Sequence, residues 1–190
     1  MPHETPSGRP PAVLAIDLQR DFLEDDGKMP IARGQVAPLI AAANKVIAAA
    51  AARGANVVYI GNEFPRSQWL LNLFRWNAAV SGSPGAKMDP RVELASSTYF
   101  PKAEGDAFSN RALGAFLRAA SVTDVILLGV YAGACVTATA RTAMREGYRV
   151  TLVREGIGAA SDRARERALS RLGRAGARVQ SAAEVIARLG

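Results

Sequence analysis

Asp124-Val-Ile-Leu-Leu-Gly-Val130, continuing as Tyr-Ala-Gly-Ala-Cys135-Val-Thr-Ala-Thr-Ala140, is the stretch on which the fold turns. Behind its leading acid lies a short, unbroken apolar run with β-branched members. It lacks a clean two-residue alternation, as expected of a strand buried on both faces. A turn of small residues follows. A helical pattern then opens at Cys135 and continues to Glu146, where Gly147 stops it. Strand, tight turn and helix in that order are the unit from which parallel α/β sheets are built.

Outward from this unit the alternation repeats. Toward the N-terminus, Pro11-Ala-Val-Leu-Ala-Ile-Asp17 is a short apolar run closed by an acid, and residues 36–53 carry a helical pattern ended by Gly54. Ala55-Asn-Val-Val-Tyr-Ile-Gly61 reads as the second strand, residues 67–77 as a helix, and 80–91 as loop broken by Gly82, Pro84, Gly85 and Pro90. An extended piece is expected over 96–100 and a helix over 110–120. Toward the C-terminus come a strand at 148–153, a helix at 162–174, a short strand at 177–180 and a closing helix at 182–189. The expected fold is α/β, a three-layer, doubly wound, mostly parallel sheet with helices on both faces. Residues 1–11 read as a mobile, proline-rich lead-in, and 12–190 as one domain.

In such sheets ligands bind beyond the carboxyl ends of the strands, where strand order reverses. Asp17 closes the first strand and Cys135 opens the helix after the strongest later one. If those strands are neighbours, both side chains face one crevice. A helix N-terminus offers free N–H groups and partial positive charge, which favour a thiolate. The N–H groups of Ala134 and Cys135 could hold an oxyanion. A thiol nucleophile needs a proton acceptor. The single histidine, His3, lies in the lead-in, so the base must be a carboxylate or a lysine. Asp17 is the candidate; Asp21, four residues on, suits a structural hydrogen bond better. Lys102, one of four lysines against twenty arginines among the 24 basic residues, could stabilise the thiolate and the carboxylate. Taken singly, each of these residues also has a structural reading: a buried core cysteine, a turn aspartate, a surface lysine.

Composition narrows the rest. The chain has 190 residues, 49% hydrophobic, with one cysteine, so an intramolecular disulfide and a cysteine zinc cluster are both excluded. The net charge is +7, and seven arginines against three acids crowd 161–190. No aromatic residues interleave with them, so they read as solvated helix faces and not as a nucleic-acid surface. No uninterrupted apolar run is long enough to span a bilayer, and the N-terminus lacks the apolar middle of a secretory signal. A cytoplasmic location, a small-molecule substrate, no nucleic acid and no membrane are expected.

Three segments together resemble the isochorismatase-like cysteine hydrolases: Ala15-Ile-Asp17-Leu-Gln-Arg-Asp-Phe22; Pro101-Lys102 with Asp106-Ala-Phe108; and Gly129-Val-Tyr-Ala-Gly-Ala-Cys135-Val with Thr139-Ala140 and Gly147-Tyr148. The resemblance implies a six-stranded sheet, an Asp17–Lys102–Cys135 triad, a non-proline cis peptide at Val130–Tyr131 and a homo-oligomer, dimer or tetramer. Nicotinamidases of that family carry an Asp-x-His metal motif after the second strand. Here the region reads Ile60-Gly-Asn-Glu-Phe-Pro-Arg66, without histidine, so no metal and no cofactor are expected. Isochorismatase proper does without the cysteine, so Cys135 points to C–N hydrolysis of a small amide, carbamoyl or ureido compound through a thioester. The alternatives are a hydrolase of isochorismate-like ethers or another activated substrate, and a non-catalytic binding module on the same fold. Phe22, Glu63, Trp69 and Tyr131 are the expected pocket walls. For Trp69 and Trp76, core packing or subunit contact competes with substrate stacking, and residues 69–90 are expected to shape either the pocket or a subunit interface.

Overall fold

The computed structural model describes residues 10–189; the lead-in up to residue 9, His3 included, lies outside them. Six strands form one sheet: β1 Ala12–Ile16, β2 Asn56–Asn62, β3 Tyr99–Lys102, β4 Asp124–Gly129, β5 Arg149–Ile157 and β6 Arg178–Gln180. Their order is β3-β2-β1-β4-β5-β6, and every neighbouring pair is parallel. The expected "mostly parallel" sheet is therefore wholly parallel. The chain winds from β1 out to β3 and then returns to place β4 on the other side of β1. That reversal makes β1 and β4 neighbours, in register from Ala12↔Val125 to Ile16↔Gly129. It is the condition on which one crevice for Asp17 and Cys135 depended.

The helices are α1 Arg20–Leu23, α2 Arg33–Ala51, α3 Trp69–Phe74, α4 Arg111–Ala119, α5 Cys135–Arg145, α6 Asp162–Arg174 and α7 Ala182–Leu189. Alternate residues of a strand point to opposite faces. Ala12, Leu14 and Ile16 accordingly join a core with α4, α5 and α6, while Val13 and Ala15 join a second core with α2 and α7. Burial on both faces explains why the strands read as continuous apolar runs. Helix α2 is long and apolar enough to cross a membrane; here half of it is buried in the fold, because its Val36, Leu39, Ala43, Val46 and Ile47 stripe packs on the sheet.

Three of the differences from expectation lie at the sheet and the loop beside it. The third strand lies at 99–102 and not 96–100, so Lys102 ends a strand instead of sitting in a loop. Strand β5 extends to Ile157, past a register shift against β4 between Leu127 and Gly129. Within the expected 80–91 loop, Pro84–Ala86 forms a 3₁₀ turn. At the β1–β4 crossing Gly129 has φ 126°, and a Cβ there would stand 1.9 Å from the Ile16 carbonyl oxygen. Only glycine permits that approach.

Candidate active site

Four side chains converge at the carboxyl end of the sheet. Asp17 follows β1, held in the left-handed region at φ 54°, with its N–H bonded to the Ile60 carbonyl at 2.7 Å. Lys102 ends β3 beside Asn62, the last residue of β2. Cys135 opens α5 behind the turn that follows β4. Lys102 Nζ donates to Asp17 Oδ2 at 2.9 Å, to Asn62 Oδ1 at 2.7 Å and to the Glu104 carbonyl at 3.1 Å. Asn62 Nδ2 donates to Asp17 Oδ2 at 2.9 Å and stands 3.8 Å from Cys135 Sγ. Asp17, Asn62 and Lys102 are all buried, and the thiol residue is 9% exposed.

The electrostatics follow from this burial. Desolvation pushes the Asp17 carboxyl above its ordinary range, against the pull of the Lys102 ammonium and of its polar neighbours Cys135 and Asn62. Burial also pushes the Cys135 thiol up, to about 11, with the Asp17 charge reinforcing it and Lys102 opposing it. The helix N-terminus favours a thiolate, but desolvation and the neighbouring carboxylate outweigh it and raise the thiol. Both Lys102 and Asn62 bind the same oxygen of Asp17. The other, Oδ1, is buried and without a hydrogen-bond partner among the described residues. An unpaired buried carboxylate oxygen is costly unless something uses it.

Asn62 was missed by the sequence reading. Its signal was available: a polar residue directly behind an apolar strand, as Asp17 is behind β1. Gln19 fixes it further. Its Oε1 accepts from the Asn62 N–H at 2.9 Å, while its Nε2 donates to the carbonyls of Asn62 at 2.8 Å and Ala86 at 2.6 Å. Asp21 takes the structural part expected of it: Oδ2 accepts the Ala79 N–H at 2.8 Å. The lysine segment is tied to α5 through Thr142 Oγ1, which donates to Asp106 at 2.6 Å, and Thr139 Oγ1, which accepts the Ala107 N–H at 3.0 Å.

The Val130–Tyr131 peptide is cis. The expected oxyanion donors change. Ala134 N–H is spent in the turn, donating to the Tyr131 carbonyl at 3.0 Å. The N–H groups of Tyr131, Gly133 and Cys135 have no acceptor among the described residues. A cavity of about 500 Å³ opens over this turn, lined by Tyr131, Gly133, Ala134, Met29, Lys28 and Trp76 among others. Tyr131 is thus a wall, its hydroxyl donating to the Met29 carbonyl. Phe22 is not: it is buried and packs edge-on against Tyr131 at 5.8 Å. Trp69 does not line this cavity and is 66% exposed, whereas Trp76 does line it. Glu63 accepts from Ser81 Oγ at 3.1 Å and Tyr99 hydroxyl at 3.0 Å. Among the described residues no group of three or more His, Cys, Asp or Glu side chains is placed to hold a metal ion.

The isochorismatase domain family model matches residues 11–184. The chain belongs to the isochorismatase family. Among its relatives, streptothricin hydrolase of Streptomyces noursei is 32% identical over 142 residues, 74% of this chain and 47% of that protein. This family member thus spans about half the length of the curated streptothricin hydrolases it matches. Maleamate amidohydrolase of Pseudomonas putida is 29% identical over 158 residues, 80% of this chain and 73% of that enzyme. In fold, an isochorismatase-like hydrolase from Alkaliphilus metalliredigens superposes with a TM-score of 0.84 at 20% identity, covering 94% of this chain and 98% of its own.

Proposed function

We propose that this chain is a cysteine hydrolase that cleaves a C–N bond of a small amide, carbamoyl or ureido compound through a thioester, with Asp17, Lys102 and Cys135 as its catalytic groups. One observation carries the reading: Lys102 and Asn62 lock one oxygen of Asp17 and leave the other bare in the same buried cluster as the Cys135 thiol. Burial raises the Asp17 carboxyl above its ordinary range, which makes it a better proton acceptor for the neighbouring thiol than an ordinary carboxylate. One relative that is an amide hydrolase by name, the maleamate amidohydrolase, of which the match covers 73%, supports the C–N class.

In the forward half-reaction Asp17 Oδ1 takes the thiol proton as Sγ bonds to the substrate carbonyl carbon. Lys102 keeps the shared negative charge tolerable in a dry site. The oxyanion is received by the N–H of Cys135 and a second free N–H from the turn, Tyr131 or Gly133. Each such donor contributes about 3–4 kcal/mol in comparable sites. Collapse breaks the C–N bond, and Asp17 returns its proton to the departing amine or ammonia. Water then gives a proton to Asp17 and its oxygen to the thioester carbonyl; the thiolate leaves and recovers that proton. The cavity beside Tyr131 receives the remainder of the substrate.

The test is ammonia release across primary amides, carbamoyl compounds and ureido acids, with mass spectrometry of quenched enzyme. An acyl adduct on Cys135 in the wild type, absent with turnover in Cys135→Ala, is the expected result. Turnover retained in Cys135→Ala rejects the mechanism.

A further inference from the structure

The cavity over the turn before Cys135 has a one-sided lining. Its walls are apolar, with Met29, Pro30, Trp76, the Tyr131 ring and Ala159 among them. Of the residues that line it only Lys28 carries a charge, and no carboxylate does. Tyr131 adds neither a charge nor a free donor. Its hydroxyl donates to the Met29 carbonyl, and burial pushes its pKa up to about 12. Lys28 is exposed, and its ammonium donates to the Asn77 carbonyl at 3.0 Å. That bond uses one of three hydrogens, and among the described residues no acid forms an ion pair with it. The same bond ties the turn that carries Trp76 to the rim on which Lys28 stands. Tyr131 spans the cavity from end to end. Its backbone belongs to the turn with the free N–H groups, and its hydroxyl reaches Met29, the neighbour of Lys28. The two ends therefore lie about one tyrosine side chain apart, the length of a benzene ring with a substituent at each pole.

We infer that Lys28 is a specificity-determining residue: it receives a carboxylate at the far end of the substrate, whose body is an apolar, ring-sized group lying along Tyr131 and Trp76. The amide end meets the free N–H groups of the turn. The body takes the place of water against apolar walls, which is favourable without any directed bond. The tail then decides among substrates of one shape. A carboxylate gains a charge-assisted hydrogen bond from the ammonium. A neutral tail leaves that ammonium to water, and a cationic tail meets a like charge beside low-dielectric walls, where repulsion is stronger than in open solvent. The chain's net charge of +7 acts in the same direction. Half-amides of ring-sized dicarboxylic acids are the simplest members of this class. The fate of the amide end rests on the hydrolase reading; the recognition of the tail does not.

Equilibrium binding to the full-length Cys135→Ala protein, read by calorimetry at low salt, tests it. Three probes share one shape: terephthalamate, para-acetylbenzamide and para-(aminomethyl)benzamide, with anionic, neutral and cationic tails. Terephthalamate is expected to bind at least roughly fivefold tighter than the neutral probe, and the cationic probe most weakly. Adding Lys28→Met should level the anionic and neutral probes. Lys28→Glu should reverse the order of the anionic and cationic ones, and Lys28→Arg should keep the original order. Trp76→Ala should weaken all three alike, by roughly fivefold. Because Lys28 is exposed, its variants should keep the wild-type circular dichroism. A lysine that only ties down Asn77 predicts an equal loss for every probe in Lys28→Met and Lys28→Glu, and that result overturns the inference. So do equal affinities before Lys28 is changed, a preference for the anion that survives Lys28→Met, or no binding of any probe at millimolar concentration. Binding in the expected order, without ammonia release from terephthalamate by the wild type, counts against the hydrolase reading alone.

Discussion

The end of the sheet and helix α3 break the same rule in opposite directions. At the sheet end an acid, an amide and an ammonium are buried where apolar side chains are expected. On α3, tryptophan, leucine and phenylalanine face outward where polar ones are expected. The first violation is largely compensated inside the chain, since Asp17, Asn62 and Lys102 bind one another through three hydrogen bonds and leave only Asp17 Oδ1 bare. The second finds nothing comparable among the described residues. Polar groups can be reconciled with burial by a few directed bonds, whereas exposed apolar surface can only be reconciled by more surface. That is why one irregularity reads as chemistry and the other as contact.

The sharpest way to break this comparison is Cys135→Ala. With the polar cluster intact but the sulfur gone, turnover should fall by about 10⁴-fold or more, measured as ammonia release. Next comes Lys102→Met, which strands the Asp17 carboxylate. Removing one partner of a buried pair costs about 3–5 kcal/mol, read in urea unfolding; a loss under about 1 kcal/mol would mean that water already reaches the pair. Asn62→Ala removes a bond to Asp17 and one to Lys102. It should lower kcat by about a hundredfold with KM little changed, and rescue by Asn62→Gln would show that the amide and not the volume matters.

Thiol titration sharpens the electrostatic half. With the Cys135 pKa pushed to about 11, iodoacetamide alkylation should rise nearly tenfold per pH unit across the neutral and mildly alkaline range, without a plateau. Asp17→Asn removes a charge that raises that pKa, so it should speed alkylation while catalysis is lost. The smallest expected effect is on the other region. Trp69→Ser should shift unfolding free energy by less than about 0.5 kcal/mol. A larger loss would place the tryptophan inside the chain's own packing and undo the contrast.

Much of the sheet was legible because burial on both faces writes itself as unbroken apolar runs. Strands β1, β2 and β4 are of this kind, and each ends beside a residue of the site. Strand β3 was displaced because Tyr99-Phe-Pro-Lys102 is an edge strand, half exposed and carrying a proline, and such a strand leaves little pattern. Lys102 therefore came from resemblance to a family more than from its surroundings. The N–H of Ala134 was misassigned since turn bonding depends on backbone geometry that small residues do not specify. Helix α3 was legible as a helix, two residues shorter at one end and three at the other than expected. Its orientation was not, for periodicity tells which side is apolar but not which way that side looks.

The contact of Gly129 with the Ile16 carbonyl has a consequence for how this site can drift. The separation between acid and sulfur is set by two adjacent strands whose closest approach has room for a hydrogen atom and nothing larger. Any other side chain at 129 acts as a wedge, opening the seam whose two lips carry residues 17 and 135. Substrate preference can wander freely at the cavity rim, but this position is a mutational dead end, although it touches no substrate and carries no reactive atom.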